Sequence, residues 1–170
     1  MTESPTDAAA DVVATLTGRR QTVATAESLT GGRLCAYLVD VPGASAVVRG
    51  AVVAYAADLK TGLLGVHDDV VSRHGTVASA TARAMAERVR VLLGADWGVS
   101  TTGVAGPEGA EGHPPGRVHV AVAGPAGTAD VTRDLPGDRD AIRAGTVRIA
   151  AVLFQEQLDA ADDRRVSRHP

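Results

Sequence analysis

The segment Thr25-Ala-Glu-Ser-Leu-Thr-Gly-Gly32 lies at the centre of the predicted fold. The run before the turn, Thr22 to Ala26, is small and largely apolar, which predicts a buried strand. A helical pattern follows Gly32 at once, so a tight turn joins a strand to a helix N-terminus. Unpaired N–H groups at such an end carry partial positive charge, and glycines let a ligand approach the main chain. Ser28 is therefore predicted to be either a helix cap or a nucleophile.

Composition favours one domain with a tightly packed core. The chain has 170 residues, of which 45% are hydrophobic and only 2% aromatic. A core of Ala, Val and Leu suits helices packed closely on a sheet. We expect one domain over residues 1–158 and a charged, frayed tail over residues 159–170.

Charge and cysteine content narrow the classes of partner and the compartment. The formal net charge is -3 and no long block of one sign occurs, so neither nucleic-acid nor membrane binding is favoured. Cys35 is the single cysteine, which excludes an internal disulfide and fits a reducing environment. The acidic, polar N-terminus does not resemble a signal peptide, and no apolar run is long enough to span a membrane. We expect a cytoplasmic protein.

Alternating helical and strand patterns predict the fold class. Strands are predicted over residues 22–26, 47–55, 96–103, 117–123 and 128–135. Helical patterns lie before the first strand, between the strands and after the last one, and a hairpin turn at residues 125–127 joins the final two strands. This order predicts a three-layer α/β/α domain with a mixed β-sheet.

Ligands in open α/β sheets sit beyond the carboxyl ends of the strands, which directs attention to the segments that follow them. Lys60 follows the second strand among alanines and leucines, and an apolar setting lowers the pKa of a lysine until it can act as a base. Serine–lysine pairs are an established catalytic arrangement. The alternative is that Lys60 is a solvated helix residue. Tyr55 could relay a proton, orient Lys60 or simply pack at the strand end, and Glu27 is a surface carboxylate or a partner of Lys60.

The third strand leads into a glycine-rich segment. Thr102, Gly103 and Gly106 could bind phosphate through main-chain N–H groups, although such loops are also ordinary turns. The five histidines are scattered and the lone cysteine has no partner, so no metal site is predicted.

Six motifs, taken together and in order, carry a resemblance to a known family. They are Ala26-Glu-Ser-Leu-Thr-Gly-Gly32, Val41-Pro-Gly-Ala-Ser45, Gly50-Ala-Val-Val-Ala-Tyr55, Lys60 with Leu63-Leu-Gly65, Thr102-Gly-Val-Ala-Gly-Pro107 and Leu135-Pro-Gly-Asp-Arg139. This set resembles the CinA C-terminal domain family of nicotinamide-nucleotide amidohydrolases, over about Val12 to Leu158. The larger CinA proteins carry a further N-terminal domain, and this chain is similar to the stand-alone deamidase form.

The resemblance implies an activity and roles for individual residues. It implies hydrolysis of the carboxamide of nicotinamide mononucleotide (NMN) to nicotinate mononucleotide and ammonia, in NAD recycling. The family's serine, lysine and tyrosine fall on Ser28, Lys60 and Tyr55. The resemblance implies that no metal or organic cofactor is needed. It also implies a homodimer. The competing hypothesis is a non-catalytic domain that binds a nucleotide or a protein partner.

The remaining roles follow from this implied reaction. Main-chain N–H groups around Thr30, Gly31 and Gly32 are expected to stabilise the oxyanion. Either the Thr102-Gly103 segment or Arg139 is expected to hold the ribose phosphate.

The sequence departs from the family pattern at one place. Many relatives have a glycine pair after the Gly-Pro of the fifth motif, whereas here Pro107 is followed by Glu108-Gly-Ala-Glu-Gly112. Carboxylates that point into the site would repel an anionic substrate.

Overall fold

A five-stranded mixed sheet forms the centre of the computed structural model, which describes residues 5–166. The strands are β1 (Val23–Glu27), β2 (Val48–Val53), β3 (Trp97–Gly103), β4 (Arg117–Gly124) and β5 (Gly127–Asp134). Their order in the sheet is β2-β1-β3-β4-β5. β1 is parallel to β2 and β3, whereas β4 is antiparallel to both of its neighbours. The predicted mixed sheet is confirmed.

Within residues 5–166 the sheet is accompanied by six α-helices, which lie on both of its sides, and by a short 3-10 helix, Ala44–Ala46. The α-helices are α1 (Pro5–Arg19), α2 (Arg33–Val39), α3 (Ala57–Gly62), α4 (Asp68–His74), α5 (Ser79–Leu92) and α6 (Arg139–Val166). One face packs against α1, α2 and α6, and the other packs against α5, which in turn contacts α4. The three-layer α/β/α architecture predicted from the sequence is therefore confirmed.

The core divides into two layers, as a sheet with two covered faces requires. The larger cluster joins residues of α1, α2 and α6 to one face of the sheet, with Leu16, Leu38 and Phe154 among its buried members. The smaller cluster lies under α5, where Met85 and Val89 contact Ala24 of β1. Both faces of β1 are thus covered, and all five of its residues are buried.

The position of β1 fixes the position of the site. The chain leaves β1 for β2 on one side, and β3 lies on its other side, so β1 marks the point at which the strand order reverses. Glu27 pairs with Val53 of β2 and with Thr101 of β3. Because these three strands are parallel and end together, the residues that follow them converge at one edge of the sheet.

Helix α6 continues past Leu158 to Val166, and the end of α1 contacts it: Arg19 donates a hydrogen bond to Leu158 O at 2.9 Å and pairs with Asp162. That the tail over residues 159–170 is frayed stays a prediction. Residues 167–170 lie outside the described part of the chain. The segment that follows β2 contains the short helix α3, and Lys60 lies on it.

Within residues 5–166, no helix combines the length and the apolarity needed to cross a bilayer.

Candidate active site

Ser28 and Lys60 lie together at the carboxyl edge of the sheet. Lys60 Nζ is 3.1 Å from Ser28 Oγ and donates a second hydrogen bond to Ala54 O at 2.9 Å. Ser28 directly follows β1, Ala54 follows β2, and Lys60 lies on α3 one turn further along the chain. The two strand ends therefore hold the hydroxyl and the amine within hydrogen-bonding reach of each other.

Lys60 is buried, with only 2% of its surface exposed. Burial lowers the pKa of its amine from the ordinary 10.5, and the negative charge of Glu111 opposes part of that shift. The apolar setting was predicted, but its composition differs from the prediction. Leu59 and Leu63 are exposed, whereas Leu64 is fully buried in the core cluster that contains Ala54.

The amino-acid composition also distinguishes this residue. Lys60 is the only lysine of the chain, and all the other positively charged side chains apart from histidine are arginines. An arginine keeps its proton under all ordinary conditions, so it cannot act as a base, whereas a buried lysine can. Residue choice alone therefore distinguishes position 60.

Glu27 lies next to Ser28 but takes a different part in the structure. Its carboxylate is fully buried and accepts five hydrogen bonds. The donors are Thr25 Oγ1 (3.1 Å), Thr30 Oγ1 (2.7 Å), Gly32 N (3.0 Å), Leu34 N (3.0 Å) and Cys35 N (2.8 Å). It is neither a surface carboxylate nor hydrogen-bonded to Lys60. The anion bound at the N-terminus of α2 is the protein's own carboxylate.

In this arrangement two of the three predicted oxyanion donors already have acceptors within the chain. The N–H of Gly32 donates to Glu27 and the N–H of Gly31 donates to Ser28 O at 3.1 Å, so neither is available to a ligand. Thr30 is fully buried, and its hydroxyl bonds to Glu27 and Thr101. Among the described residues, the backbone N–H groups of Leu29 and Thr30 have no hydrogen-bond acceptor.

Arg143 was not predicted, and it holds the same turn from α6. Its Nε donates to Leu29 O at 2.8 Å and its NH2 group donates to Thr30 O at 3.1 Å. The N–H and C=O groups of a trans peptide point in opposite directions, so the Thr30 N–H is turned away from Arg143. Arg143 follows Arg139 by one helical turn, and this i, i+4 spacing was the signal in the sequence.

Tyr55 and Arg139 lie together at the rim of the site. Arg139 donates one hydrogen bond to the Tyr55 hydroxyl at 2.9 Å and another to Gly106 O at 2.7 Å. Tyr55 is 58% exposed and, in the part of the chain that the structure describes, makes no hydrogen bond to Lys60. The geometry thus brings these two predicted residues to each other rather than bringing Tyr55 to the amine.

A cavity of about 260 Å³ connects these groups. Its lining includes the predicted residues Ser28, Tyr55, Lys60, Thr102, Gly103 and Arg139, and also Thr76, Val77 and Glu111. The volume approaches the range of roughly 300–1,000 Å³ that is usual for small-molecule sites. Thr30, Gly31 and Gly32 do not line it.

Thr102 and Gly103 end the third strand, as the predicted strand over residues 96–103 has them. Both belong to β3 and pair with His119 and Val118 of β4. The Thr102 hydroxyl donates to Thr76 O at 2.6 Å, so it ties β3 to the connection between α4 and α5. Their role in holding a phosphate stays a prediction.

Within residues 5–166, no group of three or more His, Cys, Asp or Glu side chains is arranged to hold a metal ion. The side chains that face the cavity offer a hydroxyl, an amine, a guanidinium and a carboxylate. A nucleophile beside a base, with charged groups at the wall and the rim, can support acyl transfer.

The fold and the site together define an α/β protein with a serine–lysine pair at the carboxyl edge of its sheet. The chain belongs to the CinA C-terminal domain family, whose model matches residues 5–158.

Curated relatives support this assignment. A CinA-like protein of Frankia casuarinae is 48% identical over 147 residues, which cover 86% of this chain and 34% of that protein. A putative competence-damage inducible protein of Desulforamulus reducens is also 48% identical, over 81% of this chain and 33% of that protein. The chain therefore spans about a third of the length of these relatives.

Solved structures share the fold over almost their whole length. A CinA superfamily protein of Klebsiella pneumoniae superposes with a TM-score of 0.89 at 30% identity, covering 93% of this chain and 99% of that one. The competence/damage inducible protein CihA of Agrobacterium tumefaciens gives a TM-score of 0.87 at 31% identity, covering 94% and 98%.

Proposed function

We propose that this chain is an amidohydrolase that converts NMN to nicotinate mononucleotide and ammonia. The activity is the one that the family resemblance implies. The observation that carries the proposal is the 3.1 Å separation between the buried Lys60 Nζ and Ser28 Oγ. A site that only binds a nucleotide has no need of a buried lysine with a lowered pKa beside a hydroxyl.

The first half of the reaction forms an ester on Ser28. The neutral Lys60 amine accepts the hydroxyl proton while Oγ attacks the carboxamide carbon. The resulting tetrahedral intermediate collapses when the Lys60 ammonium returns that proton to the nitrogen, and ammonia leaves. Nicotinate mononucleotide is then bound to Ser28 as an acyl ester.

The second half releases the acid. Water gives a proton to Lys60 and attacks the ester carbon, and the Ser28 oxygen recovers the proton as it leaves. Lys60 thus carries one proton back and forth in each half. Ala54 O holds the amine in place throughout, because it accepts a hydrogen bond from Nζ.

The oxyanion of both tetrahedral intermediates needs donors beside Ser28. We assign the N–H groups of Leu29 and Thr30, which have no other acceptor among the described residues. Arg143 keeps them in position through the carbonyls of the same turn. One such donor is typically worth about 3 kcal/mol of transition-state stabilisation.

The rim supplies the positive charge for the phosphate. Arg139 lines the cavity, and its guanidinium carries five N–H donors. Two of them are used within the chain, one by Gly106 O and one by the Tyr55 hydroxyl. A phosphate that replaces one of these partners would form a charge-assisted hydrogen bond.

Release of ammonia from NMN by the purified protein tests the proposal. Ser28→Ala and Lys60→Ala are expected to remove turnover while the fold is kept, and Ser72→Ala on the exposed side of α4 serves as the matched control. Tight binding of NMN with no ammonia from the native chain would contradict the proposal and support the non-catalytic nucleotide-binding domain instead. A panel of other pyridine carboxamides then defines the substrate.

A further inference from the structure

Glu111 places a carboxylate in the wall of the cavity that contains Ser28 and Lys60. Its Oε2 accepts hydrogen bonds from Thr76 N at 2.8 Å and Val77 N at 3.2 Å, and its Oε1 accepts one from the Thr76 hydroxyl. Partial burial acts to raise the pKa of this carboxyl, but the hydrogen bonds outweigh it and the net pKa is lowered. Glu111 therefore carries a negative charge at neutral pH.

The backbone on both sides is shaped to hold this carboxylate in place. Glu111 has a φ of +52°, in the left-handed region that residues other than glycine rarely adopt. Gly75 has a φ of +79°, and a Cβ there would lie 2.5 Å from Glu111 Oε2, so a side chain at this position would be strained and would displace the carboxylate. Such a conformation persists only where its surroundings determine it, and it concentrates at functional sites.

The charges around the cavity are thus of opposite sign in different places. Arg139 is positive at the rim, Glu111 is negative on the wall, and burial favours the neutral amine of Lys60. NMN carries charges of both signs as well: its phosphate is an anion, and its ring is a cation because the ring nitrogen bears the ribose. A negative wall repels the phosphate and attracts the ring.

We propose that Glu111 recognises the positive charge of the pyridinium ring and makes the cavity selective for N-substituted pyridinium carboxamides over neutral amides. This inference rests on the proposed function. It also explains how a chain that departs from the family's glycine pair still accepts an anionic nucleotide. The phosphate is directed to Arg139, and the carboxamide next to the charged ring is directed to Ser28.

Binding of two ligands that differ in ring charge tests this assignment. Ser28→Ala removes the nucleophile, so dissociation constants are measured without turnover. The ligands are NMN and its reduced counterpart, whose dihydropyridine ring is neutral while its amide and phosphate are the same. We expect Glu111→Gln in this background to raise the dissociation constant of NMN about fivefold and that of the reduced ligand less than twofold.

The matched control is Glu108→Gln, three residues earlier in the same loop and outside the cavity lining. It should change neither constant. Equal weakening of both ligands by Glu111→Gln, or no weakening, would overturn the inference and leave the proposed function intact. If neither ligand binds the Ser28→Ala protein, the proposed function fails and the inference fails with it.

A salt series on the Ser28→Ala protein adds a test that does not depend on the folding of a Glu111 variant. The preference for NMN over the reduced ligand should decrease as ionic strength rises, because Glu111 is exposed to solvent on one side. A preference that is unchanged by salt would count against a charge-based selection.

Discussion

Glu27 and Lys60 are the two fully buried charged side chains nearest to Ser28, and they differ in how well the protein satisfies them. The Glu27 carboxylate accepts five hydrogen bonds, whereas the Lys60 amine donates two, one of them to Ser28 itself. The carboxylate is saturated and has no capacity left for a ligand. The amine keeps an incomplete set of partners beside a hydroxyl, which is what proton transfer requires.

This contrast shows how burial divides into a structural and a chemical use. A buried charge with all its partners stabilises a conformation, here the turn at residues 28–32 and the start of α2. A buried charge with few partners is instead held away from its ordinary protonation state. Both residues lie at the same edge of the sheet, near the candidate nucleophile Ser28.

The largest expected effect separates activity from stability at Lys60. Lys60→Met keeps the length of the side chain and removes the amine. We expect amide hydrolysis to fall by about 10³-fold or more. The free energy of unfolding should change by less than about 1.5 kcal/mol, because the buried amine is itself costly. Leu63→Met, an exposed neighbour, is the control for both measurements. Full activity in Lys60→Met would remove the base from the account.

The opposite pattern is expected at Glu27. Glu27→Gln keeps the shape but turns an amide NH2 group towards backbone and hydroxyl donors. With at least two buried donors left without an acceptor, the free energy of unfolding should fall by about 3 kcal/mol. Urea denaturation measures this, and Glu156→Gln on the exposed side of α6 is the matched control. A Glu27→Gln protein as stable as the native chain would show that the comparison is mistaken.

The sequence predicts one side of this contrast, the candidate pair Ser28 and Lys60, but not the other. The strand pattern and the rule that strand ends converge made Ser28 and Lys60 candidates at one edge of the sheet, but a helix cap and a solvated lysine stayed open until the family resemblance was considered. The target of Glu27 could not be predicted, because it depends on the path of the turn from Thr30 to Cys35. The exposure of Leu59 and Leu63 depends on α3, which is only six residues long and has a weak pattern.

Long-range side-chain contacts were likewise beyond reach of the sequence. The Thr102 hydroxyl donates a hydrogen bond to Thr76 O, which is 26 residues away. The Glu111 carboxylate accepts hydrogen bonds from the N–H groups of Thr76 and Val77. Such contacts depend on how the loop after β3 packs on the connection between α4 and α5. Local sequence patterns do not predict that packing.

A smaller effect concerns stability and pH. The unfolded chain binds the Lys60 proton with the ordinary pKa near 10.5, and the folded chain binds it with a lower one. Between these two values the unfolded state holds more protons, so stability rises with pH, by at most about 1.4 kcal/mol per pH unit. Below the folded pKa both states are protonated and the slope disappears. The difference between the native protein and Lys60→Met isolates this slope, and its absence would place the amine in water.

The smallest effect is expected from Glu111 on the pH dependence of the rate. Turnover requires neutral Lys60, so the rate should rise with pH through the lowered pKa of that amine. Glu111 opposes this lowering. Glu111→Gln should therefore shift the acid limb of kcat to lower pH, by a fraction of a unit. The other groups that line the cavity, Tyr55 and Arg139, are unchanged in this comparison, as is the exposed Asp58 on α3. A shift to higher pH would contradict the assignment.

The protonation state of Lys60 can be measured directly, because the chain contains a single lysine. Protein grown with ¹³C-labelled lysine gives one Cε resonance, which is followed by NMR as the pH is raised. The account predicts a midpoint clearly below 10.5, and a return towards 10.5 in the unfolded chain in urea. A folded protein whose lysine titrates at 10.5 or above would contradict the claim that residue 60 is a neutral base beside Ser28.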